Sequence, residues 1–88
     1  MVYSVRFERR AEKELKRLDT RDRKRVFRAI EALADEPRPK GVKKLKGETT
    51  DIWRVRVGPY RVLYTIKEDH LVVFVVRIGH RKDVYQGL

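Results

Sequence analysis

The 88 residues carry 23 Lys and Arg against 13 Asp and Glu, a formal net charge of +10, and no cysteine. A chain this short is read as one domain over residues 1–88 with a small core, braced by no disulfide or thiolate metal site. No run of about 18 apolar residues is present to span a membrane, and M-V-Y-S-V-R-F-E-R-R lacks the apolar stretch of a secretory signal. The expected location is therefore the cytoplasm. The charge excess asks for a polyanionic partner: nucleic acid, an anionic membrane or an acidic protein. A solvated surface on a heat-adapted protein fits balanced charge better than an excess of ten.

Val2 to Phe7 alternates apolar and polar residues, which predicts a half-buried strand. Phe7, Ala11, Leu15 and Leu18 then recur at helical spacing, with Arg9, Arg10, Glu12, Lys13, Lys16 and Arg17 on the wet side. Asp19 is a natural N-cap for a second helix, with Asp22 in its first turn. Val26, Phe27, Ile30, Leu33 and Ala34 form that helix's apolar stripe, and Pro37 is expected to end it. The short link makes the two an antiparallel hairpin.

The next stretch, E-P-R-P-K-G-V-K-K-L-K-G, reads as a loop. Either it is a solvated connection pinned by Val42 and Leu45, or Lys40, Lys43, Lys44 and Lys46 form a phosphate-gripping rim.

Asp51 to Val57 alternates, and Gly58-Pro59 makes a tight turn into a second strand from Tyr60. Pairing across that turn opposes Val57 to Tyr60, Arg56 to Arg61, Val55 to Val62 and Trp53 to Tyr64. Opposed residues share a face. Trp53, Val55, Val62, Tyr64 and Ile66 thus point to the helices, and Arg54, Arg56 and Arg61 point away. Glu68-Asp69 turns into a third strand, Leu71 to Ile78, whose apolar residues on both faces predict a central position. Val72, Phe74, Val76 and Ile78 are expected on the arginine side. Opposed Arg56 and Arg61 repel each other, and an RNA phosphate or an acidic protein would relieve that repulsion. Trp53, Tyr60 and Tyr64 are assigned to the core, and His70 to a hairpin end. No cluster has metal-ligand spacing, so neither metal nor cofactor is expected. The predicted fold is α+β in the order β-α-α-β-β-β, a two-helix hairpin on one face of a small, mostly antiparallel sheet.

With K-K-L-K-G before W-R-V-R-V-G-P-Y-R-V-L-Y and V-F-V-V-R-I-G-H-R-K-D-V-Y after it, the whole chain resembles the RelE toxins of the RelE/ParE superfamily. The resemblance implies a small ribonuclease that enters the ribosomal A site and cuts mRNA, neutralised by an acidic RelB-type antitoxin. Arg61 would then stabilise the phosphate. Arg81 would donate a proton or stabilise charge at the leaving oxygen, and Tyr85 would stack on or orient a base. Arg54 and Arg56 stand where well-studied RelE toxins have lysines. The implied reaction, attack of a ribose 2′-OH on the adjacent phosphate, needs a proton acceptor, charge stabilisation and a donor, but no metal. Arginine holds its proton too tightly to be the acceptor. His80 is the chemically natural substitute, because an unperturbed imidazole titrates near about 6.5. It can equally be a surface histidine, and the ribosome or the RNA can supply the base instead. Two other functions fit the charge: a ParE-like inhibitor of DNA gyrase, and a non-catalytic basic RNA-binding module.

Overall fold

A computed structural model describes residues 2–45, 51–80 and 83–85, and of Tyr85 the backbone. Strand β1 (Ser4–Phe7) leads through Glu8 into helix α1 (Arg9–Arg17), and helix α2 (Thr20–Ala32) follows. Strands β2 (Lys43–Leu45), β3 (Ile52–Val57), β4 (Tyr60–Lys67) and β5 (Val72–His80) complete one sheet, with 3₁₀ turns at Glu68–His70 and Asp83–Tyr85. The strand order is β1-β5-β4-β3-β2; β1 runs parallel to β5 and the other pairs are antiparallel. The α+β order is as expected, with one added strand. Lys43–Leu45 pairs with β3 from within the stretch read as a loop. A three-residue strand with two lysines carries no alternation long enough to read.

The helices cover one face of the sheet. Ala11 and Leu15 from α1 and Val26, Ile30 and Leu33 around α2 meet Val57, Tyr60, Val62, Tyr64, Val73, Val75 and Ile78, with Trp53, Val55 and Ile66 packed at the margin. The Asp19 carboxylate accepts the Asp22 N–H at 2.9 Å and caps α2. Helix α2 stops at Ala32, five residues before Pro37, in a turn closed by Leu33 and Ala34. Phe27, expected in the core stripe, is 42% exposed and lines a groove beside β1. No helix among the described residues is long and apolar enough to cross a membrane.

The turn between β3 and β4 holds Gly58 at φ +59, the left-handed region that glycine enters at least cost. It fixes the expected register: Arg56 opposite Arg61, Val55 opposite Val62, Trp53 opposite Tyr64. In β5 the pairing of Val72 with Lys67 and Phe74 with Thr65 sets both on the face away from the helices, as read from the sequence. The expectation fails beyond Val75. Tyr64 pairs with Val75 but Leu63 pairs with Arg77, so Val76 is an extra residue, a β-bulge. One inserted residue reverses the alternation. Ile78 therefore opposes Val62 and is buried in the helix-side core instead of lying with the arginines.

Tyr64 ties the sheet to the chain after α2: its hydroxyl donates to the Pro37 carbonyl at 2.7 Å. Burial, the largest cause, pushes its phenol from 10.0 up to about 12, with Glu36 raising it and Arg38 opposing. The neutral phenol is thus favoured in the folded chain. Its contribution is complete below pH 10.0 and is lost as pH rises through about 12. At about 1.4 kcal/mol per pH unit this amounts to roughly 2–3 kcal/mol. Tyr64→Phe should cost about 1 kcal/mol at pH 8, through the unpaired carbonyl, and close or reverse that deficit by about pH 11. Urea midpoints of both proteins across this range check it. A constant difference would contradict the assignment.

Candidate nucleic-acid interface

The face away from the helices carries two rungs of directly opposed cations. Lys43 of β2 opposes Arg54 of β3, and Arg56 of β3 opposes Arg61 of β4. The unexpected strand β2 thus recruits one loop lysine to the arginine side. Its neighbour Lys44 opposes Trp53, on the helix side, where its Nζ pairs with Asp51 Oδ2 at 3.1 Å. The proposed lysine rim is therefore divided, and Lys46 lies outside the described residues. Asp51, an acid close to the arginines in sequence, is engaged by that lysine.

The arginines differ in how they are held. Arg56 is exposed, and Arg54 is half-buried with its Nε shielded from solvent. Arg61 is only 7% exposed, and its Nη1 donates to the carbonyls of Tyr60 at 3.0 Å and Gly58 at 3.3 Å. Part of the relief that the sequence reading assigned to a ligand comes from the hairpin's own carbonyl dipoles.

Beside Arg61 the same face is apolar and covered. Gly79 opposes Arg61, and a Cβ on Gly79 would stand 3.9 Å from Val84 Cβ. Val84 and Leu63 are both fully buried, although neither belongs to the helix-side cluster. The Asp83–Tyr85 turn therefore lies over β5 and β4 on the arginine side. The turn that ends at Tyr85 accordingly lies against Arg61's strand as well as β5. The Tyr85 side chain and all of Arg81 lie outside the described residues.

His80 does not join them. It opposes Tyr60, and the two rings lie 4.9 Å apart between centroids. The Val76 bulge is the reason: unbroken alternation would have set His80 on the arginine side, and the extra residue turns it toward the helices. Tyr60 in turn donates its hydroxyl to Asp22 Oδ2 at 2.8 Å. That bond first, then burial and the charges of Asp22 and Asp19, raises the Tyr60 phenol above its ordinary 10.0. His80 thus borders an acidic depression with Asp19, Asp22 and Asp83, a setting opposite in sign to the arginine face.

Two residues the sequence reading passed over do structural duty at the site. Arg77 is 6% exposed and pairs with Glu14 of α1, Nη2 to Oε2 at 3.2 Å. A lone arginine within V-V-F-V-V-R-I was the available signal. Charge is also not confined to one face: Arg21, Lys24, Arg25 and Arg28 line a shallow depression along α2. What the arginine face can do chemically is bind a phosphodiester and stabilise charge that develops on it, since guanidinium groups match phosphate oxygens in geometry and sign.

A helix hairpin on a five-stranded sheet, with a cationic outer face, is the architecture of the small toxins of toxin–antitoxin pairs. The sequence model described as ParE toxin of type II toxin-antitoxin system, parDE, matches residues 5–85, and the chain belongs to that family. Within it the chain is RelE-like. It is 37% identical over 87 residues to Toxin RelG of Mycobacterium tuberculosis, covering 98% of this chain and 99% of RelG. It is 29% identical over 89 residues to the mRNA interferase toxin RelE of Escherichia coli, covering 97% and 92% of the two chains. The archaeal RelE–RelB complex of Pyrococcus horikoshii contains a chain that superposes with a TM-score of 0.81 at 29% identity, covering 94% of this chain and 99% of that one.

Proposed function

We propose that this toxin is a metal-independent endoribonuclease that enters the ribosomal A site and cuts mRNA in the cytoplasm, held inactive by an acidic RelB-type antitoxin. The observation that carries the reading is the pair of like-charged rungs on one face, Lys43 against Arg54 and Arg56 against Arg61. Opposed cations destabilise a sheet, and a phosphodiester laid across them turns that repulsion into binding. The name of the E. coli relative, an mRNA interferase, supports the same substrate.

In the proposed reaction the ribose 2′-oxygen loses its proton and attacks the neighbouring phosphorus. The bond from phosphorus to the 5′-oxygen breaks, leaving a cyclic phosphate and a 5′-OH. The nucleophile already belongs to the substrate, so no metal-activated water is required. Arg54, Arg56 and Arg61 stabilise the phosphorane, and Tyr85 orients a base. Arg81 supplies the proton that the leaving 5′-oxygen takes up, or stabilises its charge while water supplies that proton. His80 is turned toward Tyr60 and away from the arginines, so the 2′-OH proton passes to a group of the ribosome or the RNA. Fragments made on programmed ribosomes should therefore accept a label from polynucleotide kinase without prior phosphatase treatment. Fragments that label only after phosphatase would exclude 2′-OH attack.

The name of the matching family model gives one further reading some weight: a gyrase inhibitor acting by binding. The ending R-I-G-H-R-K-D-V-Y counts against it. Inhibition of gyrase supercoiling by the purified toxin, without mRNA cleavage, would favour this second reading.

A further inference from the structure

The Asp83–Tyr85 turn lies outside the sheet, yet it carries a residue assigned to the proposed chemistry. Two features hold it down. One is apolar, Val84 against Gly79. The other is a polar relay running from α1 through β5 into the turn. Glu14 faces Arg77 Nε with both carboxylate oxygens, at 3.2 and 3.3 Å, and Arg77 Nη2 donates to the Asp83 carbonyl at 3.2 Å. Glu14 Oε1 also accepts the Ile78 N–H at 3.0 Å. Strand β1 pairs with β5 only from Val72 to Val75, so Glu14 supplies an acceptor where that pairing has ended.

The chemistry of the pair favours orientation. A guanidinium is a rigid planar fork, and fixing its Nε edge on a carboxylate also fixes where Nη2 points. With Arg77 only 6% exposed, little solvent competes for those donors. The Val76 bulge sets the relay's register, bringing Gly79 opposite Arg61 and beneath Val84.

We propose that Glu14 and Arg77 are positioning residues: the pair sets the backbone path through Asp83–Tyr85 and so the placement of Tyr85 beside the arginine face. The anchoring rests on geometry alone; its consequence for cleavage rests on the ribonuclease reading above.

Glu14→Gln tests both. The amide oxygen still accepts the Ile78 N–H, while the charge that orients the fork is gone. Without any RNA, the methyl nuclear Overhauser contact from Val84 to Gly79 should weaken at least about twofold, while contacts among Val62, Val75 and Ile30 keep their intensity. An unchanged contact to Gly79 overturns the proposal, whatever the toxin cleaves. On programmed ribosomes the same change should lower kcat about tenfold and leave KM within about twofold. In a Tyr85→Ala background it should lower kcat by less than about twofold, because the residue being positioned is absent. Equal losses in both backgrounds would mean general destabilisation and overturn the positioning role. Arg77→Lys, which keeps the charge and loses the fork, should follow Glu14→Gln in both measurements; wild-type behaviour there overturns the role assigned to the fork. A wild type that binds ribosomes without cutting defeats the ribonuclease reading, and the Val84 contact still decides the anchoring.

Discussion

Alanine at Arg61, Arg81 and Tyr85 together is expected to abolish growth arrest and to lower mRNA cleavage on ribosomes by about 10³-fold. Removing one preorganised donor to a developing oxyanion typically costs about 10²–10³-fold. Residues that act as a unit lose far less than the product of their separate effects, so the triple change should fall little below the worst single one. Arg61 needs its own control. Its guanidinium bonds the carbonyls of Gly58 and Tyr60 at the β3–β4 turn, so alanine there removes a structural contact as well as a charge. Arg61→Lys keeps the charge and loses the planar fork. If Arg61 acts through bidentate phosphate contact, the lysine variant stays folded by circular dichroism and loses most activity. Full toxicity from the triple variant would remove these residues from the site.

Arg77→Ala is expected to destabilise the fold by about 2–4 kcal/mol, somewhat below the cost of breaking a fully buried ion pair because the Glu14 side chain is 18% exposed. Glu14 would keep its bond to the Ile78 N–H but lose its counter-charge. Against a total stability of about 5–15 kcal/mol for a domain, that loss is a large share, and at the low end of the range it brings the folded and unfolded populations toward parity. Urea unfolding of the two proteins measures it. A difference below about 1 kcal/mol would mean that water reaches the pair and offsets its loss. The milder Glu14→Gln is the variant that separates placement of the C-terminal turn from stability.

Much of this fold was legible because its signals are periodic. Ala11 and Leu15 mark the buried stripe of α1, Asp19 caps α2, and Gly58 fixes a hairpin whose register follows by counting. Counting also gave the common face of Arg54, Arg56 and Arg61. It failed at Val76, because a bulge inserts one residue with no mark in composition, and every face beyond it is then reversed. Ile78 was misplaced by that single residue, and the same shift turns His80 toward Tyr60. Strand β2 escaped for a different reason: its pairing partner, not its own sequence, makes it a strand, and so Lys43 and Lys44 could not be sorted in advance. The Glu14–Arg77 link joins residues 63 positions apart, a distance over which no local pattern operates. The sequence reading also treated the repulsion between Arg56 and Arg61 as unrelieved within the chain, whereas two backbone carbonyls receive the Arg61 guanidinium.

The most direct test of the ribonuclease assignment is primer extension on one defined mRNA under two conditions: in a translating extract, and as naked RNA with EDTA. Magnesium is kept wherever ribosomes are present. With wild-type toxin, new 5′ ends should appear within translated codons in the extract, be absent from naked RNA, and vanish with the Arg61/Arg81/Tyr85 alanine variant. Intact mRNA in the extract, with translation unaffected, would contradict the assignment.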